Sequence, residues 1–226
     1  MEKHILTMLA ISVLLSEIIL RVNSTFGFIL YASLITGCLL ALSRAEKLDG
    51  AGRIILIFMI FPVIRIAELF LSFSLFWNVL AVYLILLFLS SFYMFKLKID
   101  PGFTKKKLSW IPFVIFISAG VGYLGSLFFE FGKYSELIVL IPLIVYTEEV
   151  LFRGLIQNSV QEKYGINKAI LFTTILYAIF SLSLGIPLML FMVSVSIIMS
   201  LIYAHTKNIF LTIIMSLIVH VFLFAL

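Results

Sequence analysis

The chain has 226 residues, of which 63% are hydrophobic and 12% charged, and its mean hydropathy is +1.24. A soluble domain is about 45–50% apolar and about 25% charged, so this polypeptide has too little polar surface to face water and reads as a polytopic membrane protein. Its net charge of +5 falls in the connections between apolar runs, which points to membrane topology and away from nucleic acid. The single cysteine, Cys38, excludes an internal disulfide.

The N-terminal stretch "MEKHILTMLAISVLLSEIILRV" has a basic start and an apolar centre. It lacks a small-x-small cleavage site, and Glu17 and Arg21 interrupt its end, so it reads as a retained first helix. Further apolar runs follow near 25–43, 54–75, 77–95, 109–129, 137–160, 168–184, 187–204 and 209–226. Each approaches or exceeds the roughly 17–25 residues that span a bilayer. The expected fold is an all-α polytopic transmembrane bundle of about nine spans, with the N-terminus inside and the C-terminus outside. Prolines 62, 142 and 187 sit in or at the start of these helices, as membrane helices tolerate.

The positive-inside rule supports this layout. The inner side gathers Lys3, Arg44, Lys47, Arg53, Lys96, Lys98, Lys105, Lys106, Lys107, Lys163, Lys168 and Lys207, while the outer side holds Arg21 and Lys133. The longest polar connection, "KLKIDPGFTKKKLSW" at 96–110, divides a four-helix region, 1–100, from a five-helix core, 101–226. Its lysine run reads as an anchor at the inner face. "GVGYLG", Gly120 to Gly125, matches a dinucleotide-binding pattern. That pattern carries meaning only between a strand and a helix; within a membrane helix these glycines read as packing positions.

Charge at membrane depth is costly and marks function by default. Arg65 and Glu68, in "FPVIRIAELF", balance one another at i, i+3 and read as an internal helix lock with no other titratable partner. "YTEEVLFRG", Tyr146 to Gly154, is different. Glu149 and Arg153 are i, i+4 partners on one face, and Glu148 is left over, with the two carboxylates expected to fan over one broad side. A carboxylate pair split in this way suits general acid/base work on water and a leaving group. At 1.5 Å per residue, Glu149, Ser181 and His220 lie roughly 17, 19 and 17 Å from the inner ends of their helices. They converge on one membrane level, which makes His220 a candidate ligand or oxyanion donor. His4 and His205 lie at the inner surface.

"EEVLFRG" resembles the EExxxR motif of the CPBP family, the CAAX proteases and bacteriocin-processing (Abi-type) enzymes, and the likeness spans about 109–226. The family's second motif, FxxxH, meets "YAIFS" here, with Tyr177 at the Phe and Ser181 at the His. Its third, HxxxN, meets "HVFLF", which keeps His220 and has Phe224 at the Asn. The resemblance implies an intramembrane endopeptidase, acting on a membrane-associated or prenylated protein and opening toward the inner face. Glu148 and Glu149 would activate water, Arg153 would orient them, and His220 would bind a metal or steady the oxyanion. A divalent metal such as zinc, if bound, would fall to Glu149 and His220. Serine is a poor substitute for imidazole at zinc, and phenylalanine offers no hydrogen bond. A non-catalytic relative serving as a membrane scaffold is therefore the alternative reading, and a transporter the minor one. The expected location is a membrane, read as a prokaryotic plasma membrane.

Overall fold

Every regular element in the computed structural model is helical, among described residues 4–43, 50–71, 73–104, 107–129, 132–182 and 185–225. Lys3, Arg44, Lys47, Lys105 and Lys106, and the side chain of Lys133, lie outside the described part. The N-terminal region comprises α1 (Ile5–Val22), α2 (Ser24–Ser43), α3 (Gly50–Phe58), α4 (Ile60–Phe70) and α5 (Leu75–Leu97). The core comprises α6 (Ile111–Phe128), α7 (Ile141–Glu149), α8 (Asn158–Tyr164), α9 (Ile166–Ser181), α10 (Ile186–Thr206) and α11 (Ile209–Ala225). Five described helices are long and apolar enough to cross a membrane: α1, α2, α5, α10 and α6 with the short 3-10 turn that precedes it.

The remaining spans are built from pieces, for identifiable reasons. α3 and α4 continue one another across a break at Met59. Pro62 causes it, because its ring has no N–H to offer the carbonyl of Phe58 and crowds that carbonyl. The expected helix 137–160 starts as a 3-10 segment, Gly132–Leu140, becomes α7, widens into π-helical turns over Val150–Gln157 and closes as α8. Side chains therefore run without interruption from Ile141 to Tyr164, and the motif "EEVLFRG" straddles the change from α to π winding. π turns are rare and are frequent at functional sites. Pattern reading cannot find them, since the sequence still looks helical.

Lipid tails are as apolar as leucine, so packing inside the membrane relies on close fit. α6 lies along α11. A side-chain carbon at Gly122 would stand 2.9 Å from Phe222, and one at Gly125 would stand 2.5 Å from Phe191 and 2.9 Å from Leu223. Gly122 and Gly125 of "GVGYLG" are thus contact points, as expected, while Gly120 faces open space. On the outward faces, Phe116 and Phe128 stand about four-fifths exposed, at 80% and 77%, where lipid would cover them. The N-terminal region joins the core through a ring cluster: Phe61 of α4 meets Phe152 at 5.7 Å, and Phe152 meets Tyr177 at 4.8 Å and Phe180 at 5.7 Å.

Successive rods alternate in direction, so the bundle has two distinct ends. At one, the connection after α5 is not a free linker but a strap docked on the core. Asp100 accepts from the Gly102 N–H at 2.9 Å, the Pro101 carbonyl accepts from Tyr203 at 3.1 Å, and the Asp100 carbonyl accepts from Asn158 at 3.1 Å. The Ile209 N–H closes onto the Gly102 carbonyl at 3.1 Å. Lys207 donates to Asn158 at 2.7 Å; burial holds its ammonium below the ordinary lysine range, and the Glu162 carboxylate opposes that shift. Gly102 is required at its place, because its φ is +85° and an added side-chain carbon would sit 2.5 Å from the Lys207 carbonyl oxygen. Backbone strain of this kind costs about 1–3 kcal/mol. Gly102→Ala is expected to lower the thermal midpoint in detergent, while Gly120→Ala, where nothing lies within 4 Å, leaves it nearly unchanged.

Candidate active site

Six helical rods contribute side chains to one cavity of about 210 Å³, and Glu148, Ser181, His220 and Phe224 all line it. Of the three positions expected to converge by depth, Ser181 on α9 and His220 on α11 meet on this cavity, joined by Glu148 of α7. Glu149 is not among the lining residues. The two carboxylates do not fan over one side. Glu148 points into the cavity, and Glu149 is turned into the protein interior, where Arg153 lies 3.4 Å away with both side chains essentially inaccessible.

Two tyrosine hydroxyls hold Glu148. Tyr83 donates to Oε1 at 2.5 Å and Tyr177 to Oε2 at 3.0 Å. A carboxylate has about four lone-pair sites, so two such bonds fix its orientation and leave acceptor capacity toward the cavity. Tyr83 belongs to α5, outside the stretch that carries the motif, and sequence reasoning missed it. A buried tyrosine usually finds a hydroxyl partner, so a tyrosine amid the apolar run of α5 was the available signal. Tyr177 was legible as a motif position, but not as a holder of Glu148.

Arg153 is fully buried. Its Nη2 donates to Ser196 Oγ at 3.1 Å, and its guanidinium carbon lies 5.2 Å from the centre of the Tyr177 ring. The ring that positions Glu148 thus rests on the cation that compensates Glu149. Neither Arg153 nor Glu149 lines the cavity; Tyr177, which does, contacts Arg153 through its ring. Gln157, one further turn along, donates to the Ser200 carbonyl at 2.8 Å and anchors the same π segment to α10.

His220 Nδ1 lies 2.8 Å from the Ser216 carbonyl oxygen. A carbonyl only accepts, so Nδ1 carries the proton, and in the neutral ring Nε2 is the acceptor nitrogen. In this tautomer His220 can hold or steer a water proton, whereas oxyanion donation from Nε2 would require the imidazolium.

Zinc sites use three or four protein ligands. Among the described residues no group of three or more His, Cys, Asp and Glu could hold a metal ion. Glu149 does not line the cavity that His220 lines, so the expected Glu149–His220 pair does not form a ligand set there. Ser181 and Phe224 add no strong donor. The donor set does not fit zinc.

The Arg65–Glu68 lock is present, with Nη1 to Oε2 at 2.6 Å, but it is not a balanced pair. Glu17 of α1 joins it at 3.2 Å from Arg65 Nε, and Tyr31 of α2 donates to Glu17 at 2.8 Å. Arg65 also donates to the Phe180 carbonyl at 3.2 Å, at the end of α9 beside Ser181. Both Arg65 and Glu68 line the cavity. The cavity also lies at the end opposite the expected inner face: Leu137, Leu188 and Leu223 sit in the helix turns farthest from Lys163, Lys168 and Lys207. The depth reading located the level of the site but not the side on which it opens.

Residues 130–222 match a family model described as Type II CAAX prenyl endopeptidase Rce1-like. No curated protein and no solved structure matches the chain. The matched stretch carries Glu148, Glu149, Arg153, Ser181 and His220, and the apolar helices around it are those of an integral membrane protein. Residues 130–222, which carry the motif "EEVLFRG" in an all-helical membrane fold, are thus similar to the CAAX-protease-type membrane enzymes of the CPBP family.

Proposed function

We propose that this chain is an intramembrane endopeptidase of a prokaryotic plasma membrane, hydrolysing a peptide bond of a membrane-associated or lipidated substrate by means of glutamate-activated water. The observation that carries the reading is the Glu148 carboxylate, which lines a cavity and is held by two hydroxyl donors, with His220 lining the same cavity. Glu148 takes a proton from water as the oxygen bonds to the substrate carbonyl carbon. When the C–N bond breaks, Glu148 returns that proton to the leaving amine. Nε2 of His220 accepts the water's other proton in a hydrogen bond and orients the attack. Glu149 and Arg153 are positioning residues in this scheme. Residues 101–226 carry the proposed machinery, and region 1–100 contributes Tyr83 and Arg65 to its walls.

Ser181 and Phe224, on the cavity wall where the family pattern has His and Asn, favour one second reading: a relative that binds a membrane peptide without cleaving it. A transporter finds less support, because the cavity's lining stops at the level of Glu148. Reconstitution into liposomes with membrane-anchored peptides, some prenylated, separates the first two readings. Endopeptidase action gives a new C-terminus by mass spectrometry. Binding without any product from the wild-type protein overturns the proposal and leaves the second reading.

A further inference from the structure

A second space adjoins the cavity beside Glu148. A space of about 240 Å³ between α4 and α5 is lined by Leu71 and Asn78 and shares Glu68, Val79, Val82 and Tyr83 with the first. Leu71 and Asn78 flank the connection between the two helices, so the second space lies at that end of the bundle, and Glu68, Val79, Val82 and Tyr83 form the wall it shares with the Glu148 cavity. Glu68 stands at the junction, its side chain 32% exposed, with Oε2 held by Arg65. Tyr83, which lines both spaces, donates to the Glu148 carboxylate itself.

The other end of the bundle is different in charge and in structure. It carries Lys96, Lys98, Lys163, Lys168 and Lys207, and the docked strap from Asp100 to Thr104 covers α8 and the turn between α10 and α11 there. Lysines next to membrane spans mark the cytoplasmic side. We infer that substrate reaches Glu148 from the extracytoplasmic face, through the portal between α4 and α5, with Glu68 at its threshold.

The substrate class follows, resting on the endopeptidase reading: a membrane-anchored peptide whose scissile bond is presented on the extracytoplasmic side. A lipidated C-terminus arriving from the cytoplasm would meet the lysine-rich, strap-covered end.

Thiol accessibility tests the route without any need for cleavage. In a Cys38→Ala background, Val79→Cys places a thiol on the wall common to both spaces, and Lys168→Cys places one on the exposed lysine-rich end. The probe is a membrane-impermeant quaternary-ammonium methanethiosulfonate, applied to right-side-out and to inverted vesicles. Val79→Cys is expected to label in right-side-out vesicles and to lose labelling on inversion, with the reverse for Lys168→Cys. Labelling of Val79→Cys from the Lys168 side, from both sides or from neither overturns the inference. Labelling as expected in a protein that cleaves no peptide overturns the endopeptidase reading alone.

Discussion

Glu148→Gln is expected to lower the rate of peptide hydrolysis by about 10²- to 10⁴-fold, the usual contribution of a general base. The amide cannot take the water proton, and one of its two ends presents N–H donors where a tyrosine hydroxyl already donates. Tyr83 at 2.5 Å and Tyr177 at 3.0 Å both face that conflict, so one hydroxyl must turn away. The loss should appear in kcat, because the side chain keeps its size and the cavity its shape. Tyr83→Phe and Tyr177→Phe keep the base and remove one orienting bond each, so both should fall between wild type and Glu148→Gln. The measurement is steady-state hydrolysis of a membrane-anchored peptide in liposomes. Retention of wild-type kcat by Glu148→Gln would remove Glu148 from the chemistry.

Arg153→Leu is expected to be the most destabilising single change in the core. Arg153 is fully buried and lies 3.4 Å from an equally buried Glu149. Removing one partner of such a pair typically costs about 3–5 kcal/mol, because the other charge is left uncompensated. The Nη2 bond to Ser196 and the contact under the Tyr177 ring go with it. Replacing both partners by apolar residues of similar volume is often neutral, so Glu149→Met with Arg153→Leu should regain most of the lost thermal midpoint in detergent. Activity should not return in the double variant if the pair positions Glu148 through Tyr177. Full recovery of both stability and kcat would reduce the pair to a helix lock. A double-mutant cycle on the midpoint supplies the coupling directly.

The resemblance at "EEVLFRG" and the hydropathy of the chain made the membrane class, the helical fold and the family legible without coordinates. These properties are local. A run of apolar residues spans lipid whatever surrounds it, and a motif on one helix keeps its spacing in any packing. Depth arithmetic, which assumes the constant α-helical rise, expected Glu149, Ser181 and His220 on one level; Ser181 and His220 do line one cavity, but the carboxylate that joins them there is Glu148.

The rest depended on rotation and on neighbours. Adjacent residues on a helix point about 100° apart, which let Glu148 face a cavity and Glu149 the interior; the π winding of Val150–Gln157 left no trace in the hydrophobic pattern. Tyr83 reaches Glu148 across 65 positions of sequence, and Glu17 reaches Arg65 across the first loops of the chain. No periodicity encodes contacts of that separation. The sequence by itself determined that charge sits at membrane depth and at which level. Only the tertiary structure decided which carboxylate meets the cavity and which tyrosines hold it, because those depend on how whole helices turn against one another.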